Sequence, residues 1–180
     1  MTPEIEVLAY PIGKFEMPVE YDENQISKWI DRIEVSPQWY DTAIENLDEA
    51  QLKTPYRPNG WTVMQVIHHV ADSHTNAYVR FKWGLTEDCP VIKPYHEKLW
   101  AELPDVFDVP VNISITMLHA IHRRWVSLMR NMKADDWKRC IIHPEQNRKM
   151  ELGQLLAMYA WHTKHHFEHI FRLRERMNWL

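Results

Sequence analysis

Two cysteines, Cys89 and Cys140, in 180 residues are too few for a disulfide framework. No apolar run approaches the roughly 18 residues of a membrane span, and nothing before Tyr10 resembles the charged start and apolar stretch of a secretory leader. A reducing cytoplasm is therefore the expected location. A formal net charge of -4 offers no general attraction to phosphate backbones, so neither nucleic acid nor membrane is expected as a partner. Internal repeats, low-complexity tracts and long Gly/Ser linkers are lacking too. The chain reads as one domain over residues 1–180, with an irregular N-terminal segment at 1–20.

What is present is an ordinary soluble composition, 45% hydrophobic and 26% charged, with an unusual load of 11 histidines and 9 tryptophans. Imidazole is the commonest metal ligand and indole a common pocket wall, so the pair points to a protein that carries a site. Helical periodicity marks residues 24–48 through Ile26, Trp29, Ile30 and Ile33, with Pro37 expected to kink or divide the stretch. Thr62 and Gln65 form a capping-box pattern that opens a second helix to about residue 87. Four prolines between Asp88 and Asn112 make a long connection, with a short helix predicted at 96–103. A third helix follows at 113–132, a small hairpin within 138–151, and a fourth helix from Leu152 to Met177. The expected fold is an all-α four-helix bundle with a long crossover.

The last helix contains YAWHTKHHFEHI at 159–170. An apolar arc through Leu155, Tyr159, Ile170, Leu173 and Met177 has His162 and His166 at its near edge, while His165 and His169 fall toward the rim and are expected to be solvated. His162 and His166 have the i, i+4 spacing at which two helical imidazoles bind one metal ion. A lone His-x-x-x-His is more often a satisfied, partly buried pair, and a third ligand must come from another helix. The second helix offers His68, His69 and His74. Its apolar arc includes His74 and leaves His69 on a polar stripe with Ser73, Asn76 and Arg80. That stripe is either a solvated face or the polar wall of a pocket, and spacing leaves both open. His119 and His143 read as ordinary surface or packing residues.

The stretch GWTVMQVIHHVADSHTNAYVRFK, with YPIG at 10–13, the H-x-R-W pattern at His122–Trp125 and YAWHTKHH, resembles the DinB-like superfamily over nearly the whole chain from Tyr10. It is most similar to the YfiT branch, described as metal-dependent hydrolases and including bacillithiol S-transferases. The resemblance implies a four-helix bundle, a homodimer, and a divalent metal held by one histidine of the second helix and the H-x-x-x-H pair of the last. Matched residue by residue, these are His69, His162 and His166, with His74 left a core or supporting role. His122 becomes a pocket candidate beside Ser73, Asn76 and Arg80. The branch tends to carry an acid where this chain has His96 in PYHEKLW, which puts any role of that acid in doubt here.

Three neutral imidazoles leave a divalent ion an open position. Water bound there is acidified, giving a hydrolase; a thiol bound there is deprotonated, giving an S-transferase. No glutamate stands beside the ligand pair, where Thr163, Lys164 and His165 intervene. Together with the family resemblance, that absence makes thiol transfer to a small-molecule substrate the first expectation and hydrolysis the alternative, with a non-catalytic metal- or ligand-binding module third. Arg80 is the candidate to hold an anionic group of a thiol such as bacillithiol. Zinc is the first expectation for the ion, with nickel, manganese and iron also compatible with imidazole.

Overall fold

The computed structural model describes residues 2–146 and 148–179. In chain order its elements are α1 (Pro3–Ala9), α2 (Glu23–Ile44), α3 (Glu49–Leu52), α4 (Val63–Thr86), α5 (Glu97–Trp100), α6 (Pro104–Asp108), α7 (Val111–Arg130), a 3-10 turn at Ala134–Lys138, β1 (Cys140–His143), a 3-10 turn at Pro144–Gln146, β2 (Arg148–Glu151) and α8 (Leu152–Met177). The four long helices form the bundle that the periodicity predicts. α2 packs on α7 and α8, and α4 packs on the same two, so the order around the bundle is α2–α7–α4–α8.

Local chemistry sets the helix starts. Asp22 accepts from the Gln25 N–H at 2.7 Å while Gln25 accepts from the Asp22 N–H at 3.0 Å, and Thr62 with Gln65 repeats the arrangement at 3.2 and 3.0 Å, as predicted. Gln65 also donates to the Ala101 carbonyl at 3.0 Å, tying the crossover to the start of α4. α8 ends at Asn178, whose φ of 53° supplies the left-handed cap.

Several elements depart from expectation. The N-terminal segment read as irregular contains α1, started by Thr2 with Pro3 in its first turn. α2 ends at Ile44 and runs unbroken through Pro37 rather than dividing there. The predicted 96–103 helix is the shorter α5, followed by α6. Met177, placed on the apolar arc of the last helix, is exposed.

β1 and β2 pair antiparallel from Cys140 opposite Glu151 to His143 opposite Arg148. The crossover joins the free edge of β1: Ile92 N–H donates to the Ile142 carbonyl at 3.0 Å, and Ile142 N–H to the Pro90 carbonyl at 2.9 Å. This pairing brings the Cys89 and Cys140 Cα atoms to 4.8 Å, and the two form a disulfide. The low cysteine count gave no hint of that bond, because the pairing depends on a contact between segments 51 residues apart.

The apolar interior falls into two clusters. One gathers Ile30, Ile33, Phe81, Trp125, Leu155 and Tyr159; the other gathers Tyr40, Ile67, Val70, Leu118, Ile170 and Leu173. On every long helix buried polar residues separate the two: Ser36 on α2, Ser73 and His74 on α4, His122 on α7, and Thr163, His165, His166 and His169 on α8. Each fully buried Ile, Leu or Phe contributes about 1.5–3 kcal/mol, so the flanking cores can sustain a polar layer that stabilises nothing by burial. Tyr40 Oη donates to the Thr163 carbonyl at 2.6 Å and pins α2 to α8 at this level.

Candidate metal centre

His162 and His166 project from one stripe of α8 toward α4, where His69 faces them. One nitrogen from each of the three lies within 4.8 Å of the other two. His69 Nε2 and His162 Nε2 are 3.2 Å apart. Nitrogens bound tetrahedrally at about 2.0–2.1 Å from an ion stand roughly 3.3–3.4 Å apart, so this pair fits a shared ion without rearrangement.

The electrostatics favour the same use. Burial lowers the pKa of His69 to about 4 and drives those of His162 and His166 well below the usual range, with the neighbouring imidazoles adding to the effect. Three neutral rings with free lone pairs are what a divalent cation requires of its ligands. Trp61 lies against His69 with ring centroids 4.6 Å apart, walling that side with indole.

A cavity of about 420 Å³ opens beside the triad, lined among others by His69, His162, Ser73, Arg80, Tyr95 and Tyr159. Arg80 is only 6% exposed. Its Nη1 donates to Tyr159 Oη at 3.0 Å, its Nε has no partner, and no carboxylate lies within 4.0 Å of it among the described residues. The Tyr95 ring stands 6.0 Å from the guanidinium carbon, and burial pushes the Tyr95 hydroxyl pKa up to about 12. A buried arginine without a carboxylate is costly unless something anionic visits it.

Of the predicted stripe, the structure brings Ser73 and Arg80 to the cavity but not Asn76, whose amide donates back to the Asp72 carbonyl at 2.9 Å. His122 also lies away from it, lining a separate groove between α2 and α7. His74 is fully buried, as its place on the apolar arc implied. His96 is exposed at the start of α5, while its neighbours Tyr95 and Glu97 reach the cavity. Sequence reasoning missed those two, along with Glu145, His143 and the hydroxyl of Tyr159; all but Tyr159 are placed by the crossover and hairpin.

His165 and His169 overturn an expectation. Both were placed at a solvated rim, yet they are 7% and 3% exposed. His165 stacks on Trp161 with centroids 4.3 Å apart; His169 stacks on Tyr56 at 3.9 Å and donates from Nε2 to the Ala9 carbonyl at 3.1 Å. The N-terminal segment and the loop before α4 cover what a single helical wheel reads as surface.

A sequence profile of the DinB superfamily matches residues 32–170. A Bacillus cereus (strain 03BB102) protein named "Putative metal-dependent hydrolase" is 48% identical over 172 residues, covering 96% of this chain and 98% of that protein. A relative of the same description from Bacillus mycoides (strain KBAB4) is 49% identical with the same coverage. Among solved structures, YfiT from Bacillus subtilis, described as a probable metal-dependent hydrolase with an unusual four-helix bundle topology, superposes with a TM-score of 0.94 at 42% identity, covering 97% of this chain and 99% of that one.

Proposed function

The chain belongs to the DinB superfamily, and we propose that it is a metal-dependent enzyme in which His69, His162 and His166 hold one divalent ion beside a pocket for a small anionic molecule. The observation that carries this reading is the juxtaposition of three clustered neutral imidazoles, two of which (His69 and His162) line the cavity, with the buried guanidinium of Arg80 on the same cavity wall. A divalent ion with three imidazole ligands and an open position lowers the pKa of a water or thiol bound there.

The chain's own residues do the rest. Arg80 holds a carboxylate of the incoming molecule through its planar fork, and Tyr159 fixes the orientation of that fork. Trp61 keeps water from the His69 side. Our first reading is transfer of a low-molecular-weight thiol of the bacillithiol type: its sulfur loses a proton, bonds to an electrophilic carbon, and the leaving group departs with its electron pair. It is supported by the buried arginine on the cavity wall and by the all-histidine donor set. A second reading, hydrolysis, is favoured by the names of the relatives and by Glu97 and Glu145 on the cavity wall, which offer proton acceptors at its mouth. Zinc remains the first choice of ion for either reading.

Metal-loaded protein incubated with a thiol panel, a generic electrophile, and ester and amide substrates separates the two by mass spectrometry. Thiol transfer predicts product that saturates with thiol, vanishes without it and persists below the free thiol's pKa of about 8.5. Thiol-free cleavage lost in His162→Ala would instead establish hydrolysis. Arg80→Ala should weaken an anionic substrate by about 1.5–3 kcal/mol, roughly tenfold or more, with metal content unchanged and little recovery in Arg80→Lys.

A further inference from the structure

On the side of the triad away from the pocket, three imidazoles stand in line. His162 Nδ1 is 3.3 Å from His74 Nε2, His74 Nδ1 is 2.8 Å from His122 Nε2, and His122 Nδ1 is 2.7 Å from the Ile33 carbonyl oxygen. His74, His122 and Ile33 are all buried. Burial disfavours a charge on either supporting ring, so each is the neutral imidazole.

A neutral imidazole carries one N–H and one lone pair, so each link dictates the next. The Ile33 carbonyl can only accept, which puts the His122 proton on Nδ1 and leaves its Nε2 as acceptor. His74 must then donate from Nδ1 and accept at Nε2. His162 must in turn donate from Nδ1, which leaves its lone pair on Nε2, the atom that faces His69 Nε2. Ser36 Oγ also lies 3.4 Å from His122 Nδ1, but it donates to the same Ile33 carbonyl at 3.1 Å and does not reverse the chain.

That carbonyl is available for a reason written in the sequence. In a regular helix the carbonyl of residue 33 accepts from the N–H of residue 37. Here residue 37 is proline, inside α2, with no N–H to give. The residue expected to break the helix instead frees one carbonyl at the level of the histidine layer.

We propose that the Ile33 carbonyl, His122 and His74 form a positioning chain that fixes His162 in its Nδ1–H tautomer and presents the Nε2 lone pair to the ion. The chain's geometry stands alone; its consequence rests on the reading of the triad as a metal centre. His74 and His122 are positioning residues, and neither touches the ion or the substrate.

The test uses the full chain, labelled with nitrogen-15 at histidine and stripped of metal with a chelator at pH 8. Two-bond proton–nitrogen correlations identify each tautomer. The chain predicts Nδ1–H at His74, His122 and His162 alike, and Nε2–H at His162 overturns it. Zinc titration of His122→Phe, which breaks the chain, should then show affinity lowered by about tenfold or more. His122→Gln, whose amide can donate to the carbonyl and accept from His74, should recover most of that affinity. Equal affinity in wild type and His122→Phe contradicts the positioning role, as does an affinity loss that tracks melting temperature without change at His162. Should His122→Phe not fold, the wild-type tautomers and the Gln variant still decide. Wild type that binds no zinc refutes the metal centre; wild type that binds zinc with His162 as Nε2–H refutes only the chain.

Discussion

α8 carries two pairs of histidines at the same i, i+4 spacing, His162 with His166 and His165 with His169, and the fold buries all but part of His162. Spacing and burial therefore do not separate them. What differs is the neighbour. The first pair faces α4, which contributes His69, and one of its members is tied through His74 and His122 to a backbone carbonyl. The second faces Trp161, Tyr56 and the N-terminal segment, which contribute aromatic faces and the Ala9 carbonyl but, among the described residues, no third metal-ligating side chain. A histidine pair becomes a ligand pair when an opposing element completes the coordination, and a packing pair when the opposing element is aromatic.

The largest expected effect falls on the first pair. His69→Ala, His162→Ala and His166→Ala should each lower metal affinity by about tenfold at the least while circular dichroism reports an intact bundle. Equal metal content in the three variants and wild type would dissolve the contrast between the pairs.

The second pair should respond in the opposite sense. His165→Ala and His169→Ala should keep near-normal metal content but lose about 1–3 kcal/mol of stability to urea, because each removes a buried ring from an aromatic stack. Metal loss in these two with stability preserved would mean that the roles are exchanged.

This contrast also marks what the sequence made legible. The periodicity of α8 was enough to select His162 and His166, because an apolar arc on one helix carries its own phase. His69 sat on a polar stripe that periodicity left undecided, and only the family resemblance chose it. The burial of His165 and His169 was illegible, since a wheel drawn for one helix contains nothing of Ala9, Tyr10 or Tyr56. Tyr95, Glu97 and the Cys89–Cys140 bond were hidden for a related reason: the course of the crossover is set by its pairing with β1, not by its own composition. Pro37 was visible, but its role depended on which group its missing N–H would release.

Acid sharpens the comparison further. Burial holds the pKa of His165 near 4 and that of His169 near 3 in the folded chain, against about 6.5 when unfolded. Between those values the unfolded chain binds more protons, so metal-free stability is fully present above pH 6.5 and is lost as pH falls toward 4. Each such group contributes a slope of up to about 1.4 kcal/mol per pH unit, and His165→Gln should flatten the urea-derived profile by that amount. A profile level from pH 7 to 4.5 would contradict the burial of the second pair.

The smallest effect concerns the support behind the first pair. Pro37→Ala returns an N–H beneath the Ile33 carbonyl, where it competes with His122. Zinc affinity should fall by less than the roughly tenfold typical of losing a supporting group outright, with the melting temperature unchanged or raised. Affinity that rises or stays level would show that freeing the carbonyl contributes nothing to the centre.

The most direct test of the metal centre is a crystal structure of the chain loaded with one equivalent of zinc, with anomalous data collected on both sides of the zinc edge. The account predicts a single strong peak about 2.0–2.1 Å from one nitrogen each of His69, His162 and His166, with His162 bound through Nε2. A peak seated between His165 and His169, or no ordered peak at the triad, would contradict it.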